Sequence, residues 1–224
     1  MTSPWDDVLQ FWFADATTDA REIGKRVDLW FGNDAGRRAA FDDAIRTRFG
    51  DTIEAALRGN LDDWARDARG RLALILVLDQ FPRNVHRGSE RAFSGDERAL
   101  RLALEGMKSG ADHLLDPVER MFFYMPLQHT EDTAMQRHSV EVYRLLAQRL
   151  APDVPLQVRE LIVGSVGYAE THRDIVIRFG RFPHRNAVLG RRSTPAEREY
   201  LAGGAPDFGQ AAGAPDASGG TEER

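Results

Sequence analysis

Apolar residues recur through most of this 224-residue chain at intervals of three and four, the spacing of a single helix face. Ser3-Pro4 reads as an N-cap followed by a first-turn proline, opening a helix through Val8, Leu9, Phe11 and Trp12. Helices are predicted over 21–31 and 34–49, the second with Phe41 and Ile45 on one buried face and Gly50 as its stop. Ile53, Ala56 and Leu57 predict a short helix ending at Gly59. The run from Leu72 to Leu78 is apolar throughout, and by pattern alone it fits a buried strand as well as a helix. A helix over 63–81 is favoured, because the run continues a helical lead-in and no partner strand is evident. Pro82 should end it.

Ser94 and Gly110 bracket a helix over 95–109, and Asp116-Pro117 opens another through Phe122 and Phe123. Thr130 is placed to cap a helix over 131–150. After Pro152 and Pro155 a long helix covers 156–179, with Gly164 and Gly167 as points of kinking or close packing. Thr194-Pro195-Ala196-Glu197 has the form of a capping box for a last short helix reaching 202. The pattern predicts an all-α fold of antiparallel helical hairpins in a single domain, 1–208. Residues 209–224 are dominated by Gly, Ala, Pro, Asp and Ser, and are predicted to form a disordered tail that cannot bury enough apolar surface to order itself. No strict 34-residue repeat marks a solenoid.

Composition narrows the function classes. The formal net charge of −5 argues against a general nucleic-acid binder. Without cysteine there is neither a disulfide framework nor a thiolate metal site, and a reducing, cytoplasmic setting is expected. No apolar run reaches the length of a membrane span, and the first residues lack the pattern of a signal peptide. No Gly-rich phosphate loop, Rossmann fingerprint, His-Glu-x-x-His motif or nucleophile elbow occurs. No cofactor is expected.

The chemistry concentrates in a phrase used twice. Gln80-Phe81-Pro82-Arg83-Asn84 is followed by Arg87-Gly88, and Arg181-Phe182-Pro183-His184-Arg185-Asn186 by Gly190-Arg191. Each copy follows an apolar segment, so Arg, Asn and His fall just beyond a helix end. From Arg173 to Arg192 the chain holds six arginines against a single acid, Asp174. The planar fork of arginine suits bidentate binding of carboxylate or phosphate, which makes Arg83, Asn84, Arg181, Arg185 and Asn186 candidate ligand-binding residues. Equally, such arginines can cap helix C-termini and pair with acids of the same chain.

A second group is His129-Thr130-Glu131-Asp132. With a helix starting near Thr130, Asp132 falls on the apolar face with Met135, Ser139 and Val142, where a carboxylate requires a partner. His129, Glu131, Asp132 and His184 form the candidate acid/base set. First-turn capping accounts for Glu131 as well, and accounts poorly for Asp132. His172 shares a core-facing stripe with Leu161, Ser165, Tyr168, Ile175 and Phe179, within reach of the second phrase if that loop folds back. A histidine there can also be a satisfied core residue. Asp79, on the face of Leu72, Ile75 and Leu76, is expected to pair with Arg83 or with an arginine of the second phrase. His129 and His138 lie on opposite sides of the expected helix, and no metal is expected.

These motifs resemble those of a bacterial family known as domain of unknown function 924. Leu78-Asp79-Gln80-Phe81-Pro82-Arg83-Asn84 with Arg87-Gly88 and Ala92-Phe93 is similar to its central motif. Met125-Pro126-Leu127-Gln128-His129-Thr130-Glu131-Asp132 resembles a second, which usually reads Pro-Leu-x-His-Ser-Glu. Phe179-Gly180-Arg181-Phe182-Pro183-His184-Arg185-Asn186 with Leu189-Gly190-Arg191 and Ser193-Thr194 resembles a third. The resemblance extends over 5–208, and Thr130 departs from it where serine is usual. It implies a tetratricopeptide-like helical fold and no particular activity.

Together these observations give two expectations. The first is a polar pocket built by the two phrases and the Thr130 region, binding a small anion, a phosphate or carboxylate, with hydrolysis or proton transfer as its available chemistry. The second is a helical scaffold that binds a peptide or protein partner, its polar motifs purely structural.

Overall fold

The computed structural model describes residues 3–16, 19–32, 34–206 and 208–209. The described residues form nine α-helices and no strand. These are α1 (Asp6–Phe13), α2 (Ala20–Phe31), α3 (Ala35–Leu57), α4 (Ala68–Val85), α5 (Asp96–Ser109), α6 (Pro117–His129), α7 (Thr133–Gln148), α8 (Leu156–Phe179) and α9 (Pro195–Ala202). Of the expected tail, 210–224 lies outside the described residues. Gly209 is tied back to the domain, its carbonyl accepting from Arg87 Nη1 at 2.7 Å.

Helix α4 is the axis of the molecule. Every side chain from Leu72 to Leu78 is fully buried, because α1, α3, α5 and α6 pack around it. A helix covered on all sides needs no polar face, which is why its sequence has the continuous apolar run of a strand. Trp12, Phe41, Phe81 and Phe122 interlock beside it, with ring centroids 5.5–5.6 Å from Trp12. The N-terminal aromatics are therefore core. Further along, α7 lies against both α6 and α8.

Ser3 and Ser94 do not cap α1 and α5, whose N-cap residues are Trp5 and Gly95 without side-chain cap bonds. The helix expected over 63–81 begins only at Ala68, capped by Asp67 after a separate 3-10 turn over Asp62–Arg66. Three further helix boundaries differ from expectation, each for a local reason. Gly50 does not stop α3, which runs on to Leu57. Phe41, Ile45, Phe49 and Ile53 continue one buried stripe, and burying it outweighs the roughly 1 kcal/mol that a helical glycine costs. Pro82 does not end α4, which continues one turn to Val85. Proline cannot bond to the Leu78 carbonyl, and the backbone of Gly95 closes against that carbonyl so tightly that a Cβ there would lie 2.1 Å from its oxygen. Thr130 does not cap α7. Asp132 does, accepting from Met135 N at 2.8 Å, so Glu131 sits in the turn between α6 and α7.

The other punctuation follows the pattern. Thr194 and Glu197 form the capping box of α9, and Asp116 and Glu119 that of α6. Gly110 and Gly180 close α5 and α8 in the left-handed conformation, at φ 76° and 71°, which glycine adopts without a steric penalty.

Candidate functional site

Four helix ends and one loop converge beside α4. The last turns of α4 carry Asp79 and Arg83, and the first residue of α5 is Asp96. The last residue of α6 is His129, and His172 lies about two turns before the end of α8. The loop is the second phrase. After Gly180 turns the chain, Pro183–Arg185 forms a single 3-10 turn that folds back over α8. Phe182 then lies with its ring 5.6 Å from that of His172.

The centre is a buried charge network. Asp79 is fully buried. One carboxylate oxygen meets His129 Nδ1 at 2.7 Å and Arg83 Nη1 at 3.1 Å, and the other accepts from Gln80 Nε2 at 2.5 Å. Burial by itself would raise the Asp79 carboxyl, but Arg83 and His129 offset this and hold it well below the usual carboxylate range. Arg83 in turn makes a fork to Asp96, at 2.6 and 2.9 Å. Despite its burial, Asp79 and Asp96 hold it above its ordinary value and charged.

Both inner histidines are neutral, and their tautomers follow from their partners. Burial and the nearby Arg83 lower His129. Burial and the neighbouring His129 push His172 well below its ordinary value. A carboxylate and a carbonyl can only accept, so His129 donates from Nδ1 to Asp79 and His172 donates from Nδ1 to the Tyr168 carbonyl at 2.8 Å. Each ring thus keeps a lone pair on Nε2, and the two centroids are 6.0 Å apart. The sequence stripe places His172 on a buried face correctly. Tyr168, expected beside it in the core, is instead 61% exposed.

Arg185 completes the cluster. Only 7% of it is exposed, and its guanidinium lies 4.5 Å from the ring centroids of both Phe93 and Phe182. Its ion pair is a single 3.4 Å contact to Asp96, a carboxylate already held by Arg83. Its Nε is buried with no hydrogen-bond partner. Burial, with Arg83 adding repulsion, lowers this guanidinium to about 10. His184 stands beside it, lowered to about 3 by burial and by the charges of Arg185 and Arg83.

The remaining candidates hold the loop in place. Glu131 accepts from Phe182 N at 2.8 Å and from Arg191 at 2.6 and 2.9 Å, clamping the second phrase to the end of α6. Although half-burial raises its carboxyl, these bonds bring it below its ordinary value. Asn186 bonds Ser193 and Arg191. Arg181 forks to Glu197 of α9 at 2.7 and 2.9 Å. Asn84 points the other way, donating to Asp42, which also takes Arg87. Asp132, expected on the apolar face, is an exposed N-cap. Pattern reasoning missed Asp96, whose place at the start of α5 reads as ordinary dipole compensation, and Phe93 and Phe208, for which no polar pattern stands out.

The cluster is closed in this conformation. A surface hollow of about 660 Å³ lies between α7 and α8, lined by Arg144, Leu145, Arg173 and Ile177, apart from the cluster. Among the described residues no group of three or more His, Asp or Glu is placed to hold a metal ion, and no helix is long and apolar enough to cross a membrane.

These features define an all-helical protein whose two Phe-Pro phrases meet around a buried Asp-His-Arg centre. The chain belongs to the family of bacterial proteins of unknown function DUF924, whose model matches residues 8–205. It is similar to a solved structure, a protein of unknown function, ATU0120, from Agrobacterium tumefaciens. The two are 38% identical with a TM-score of 0.71, over 88% of this chain and 96% of that one. No curated protein matches the chain.

Proposed function

We propose that the cluster of His129, His172, His184 and Arg185 binds a small anionic ligand, a phosphate or a carboxylate, with Arg185 as its cation. The supporting observation is the state of Arg185: a buried guanidinium with one shared, long ion pair and an Nε without a partner. A charge left this incompletely compensated is expensive unless something else neutralises it, and an anion supplies what is missing. The Asp79–His129 pair adds chemistry. Asp79 fixes the tautomer that exposes the Nε2 lone pair, the arrangement of a general base that takes a proton from water or from a substrate hydroxyl. Hydrolysis or proton transfer is the reaction class this geometry can serve.

A second reading, a tetratricopeptide-like scaffold for a peptide or protein partner, is favoured by a different observation. Arg181, Asn84, Asn186 and Glu131 are all engaged within the chain. Thermal unfolding against phosphate, nucleotides, carboxylates and divalent metals separates the two readings. A ligand at about a hundred times its dissociation constant adds roughly 2.7 kcal/mol. One stabilising anion whose effect both Arg185→Ala and His184→Ala abolish, each variant remaining folded, is the expected result. No shift with any anion, together with strong destabilisation of both variants, would move the assignment to the scaffold.

A further inference from the structure

The closed cluster has a specific cover. The chain beyond α9 returns across it, and the Phe208 ring lies 4.0 Å from that of His172, 5.2 Å from His184 and 6.4 Å from Phe182, centroid to centroid. The next residue is fixed separately, by the 2.7 Å bond from Arg87 Nη1 to the Gly209 carbonyl. Arg87 is itself oriented by two bonds to Asp42. Phe208 holds this position with φ 52°, a left-handed conformation unusual for a bulky side chain. It lies just beyond the segment the family model matches, 8–205. A ring and an adjacent carbonyl are thus each met by a preformed partner on the body of the protein.

We propose that the niche bounded by His172, Phe182 and His184 is a recognition subsite for an aromatic ring followed by an acceptor carbonyl, which Phe208 and Gly209 fill in cis. This deepens the anion-site reading and rests on it: the ligand becomes an aromatic peptide segment or its carboxylate, and the chain's own segment is a tethered competitor. Being tethered, it acts at the high effective concentration of an intramolecular partner. An external ligand then binds through displacement of Phe208, which explains why a cluster with unused nitrogen lone pairs is found shut.

The test is the reactivity of the histidines toward diethyl pyrocarbonate, followed by mass spectrometry in Phe208→Ala, with His113, whose side chain is 65% exposed, as the internal reference. If the cover is in place about nine-tenths of the time, its removal exposes the site about tenfold more. His172 and His184 should therefore react about ten times faster while His113 is unchanged. Phe208→Tyr, which keeps a ring, should restore the slow rate. Adding N-acetyl-phenylalanyl-glycine to Phe208→Ala should slow the reaction again, and N-acetyl-alanyl-glycine should not. Unchanged histidine rates in Phe208→Ala would overturn the cis occupancy. Faster rates with no protection by the aromatic dipeptide would overturn the ring subsite. In that case protection by inorganic phosphate would leave the anion reading standing, and its absence would remove both.

Discussion

The same phrase has two backbones in this molecule. In the first copy, Phe81-Pro82-Arg83-Asn84 is helix, the last turn of α4 carried through its proline. In the second, Phe182-Pro183-His184-Arg185-Asn186 is a loop with one 3-10 turn, set off from α8 by the left-handed Gly180. The residues before the proline differ. Asp79 and Gln80 lie within α4 and join the charge network, whereas Gly180, in the left-handed conformation, turns the chain out of α8. The helical copy places Arg83 four residues after Asp79, and Asp96 completes its pairing. The looped copy leaves Arg185 with a share of a carboxylate that is already engaged. One copy builds the centre and the other is left with an incompletely paired guanidinium.

The largest expected effect lies on the building side. Asp79→Ala removes the carboxylate that Arg83 and His129 share and leaves a buried guanidinium with less compensation. Breaking such a network costs about 3–5 kcal/mol, measurable as a lower urea midpoint with an unchanged slope. A loss below about 1 kcal/mol would mean that Asp79 does not organise the centre.

Acid should separate the copies next. His184, lowered to about 3 in the fold from 6.5, takes up its proton more readily in the unfolded chain. The unfolded state therefore binds more protons between these values, and stability falls as pH drops from about 6.5 toward 3. His129 and His172, lowered as well, act in the same direction. A histidine that stays neutral contributes up to about 1.4 kcal/mol per pH unit in this window. Asp79, held ionised in the fold, adds a loss of its own only as pH falls toward 3.8 and below, where the unfolded carboxyl takes up its proton, so it contributes little between pH 7 and 5. Urea midpoints between pH 7 and 5 should decline, and His184→Leu should flatten the decline. An equal slope in that variant would show that His184 is protonated in the fold.

Much of this architecture follows from local pattern: the caps of α6 and α9, the glycine stop of α5, the extent of α8. All are matters of which residues satisfy a helix end. What the pattern does not contain is the tertiary compensation that lets a helix ignore a stop signal. Gly50 is overridden by a buried stripe and Pro82 by the close approach of Gly95. The candidate site divides likewise. The two phrases and His129 stand out because polar residues at a helix end are conspicuous. Asp96 and Phe208 join the cluster through contacts distant in sequence, and Asp132 loses its apparent burial once α7 starts two residues later than expected.

Gly95 makes that compensation testable. Gly95→Ala places a methyl against the Leu78 carbonyl at 2.1 Å, so α5 must withdraw and take Asp96 with it. Overpacking of this kind costs about 1–3 kcal/mol, and in this variant the Arg83 fork should loosen. The paired asparagines give a finer contrast. Asn84 donates to a buried carboxylate and Asn186 to a serine hydroxyl. Asn84→Ala should therefore lose about 1.5–3 kcal/mol and Asn186→Ala about 1 kcal/mol. Equal losses would mean that the two copies are held with equal firmness.

The smallest change in stability belongs to Arg185, and it bears most directly on what the looped copy does. Arg185→Met keeps an unbranched side chain between Phe93 and Phe182 and removes the charge. Asp96 retains both bonds from Arg83, so no carboxylate is stranded. Replacing an imperfectly paired buried ion with an apolar side chain of similar length is commonly neutral or stabilising. A change within about 1 kcal/mol of zero is expected, together with loss of any stabilisation by phosphate or carboxylate. A loss of several kcal/mol would show that Arg185 bridges the halves through Asp96 in the way Arg83 does. The two copies of the phrase would then differ in backbone alone, not in role.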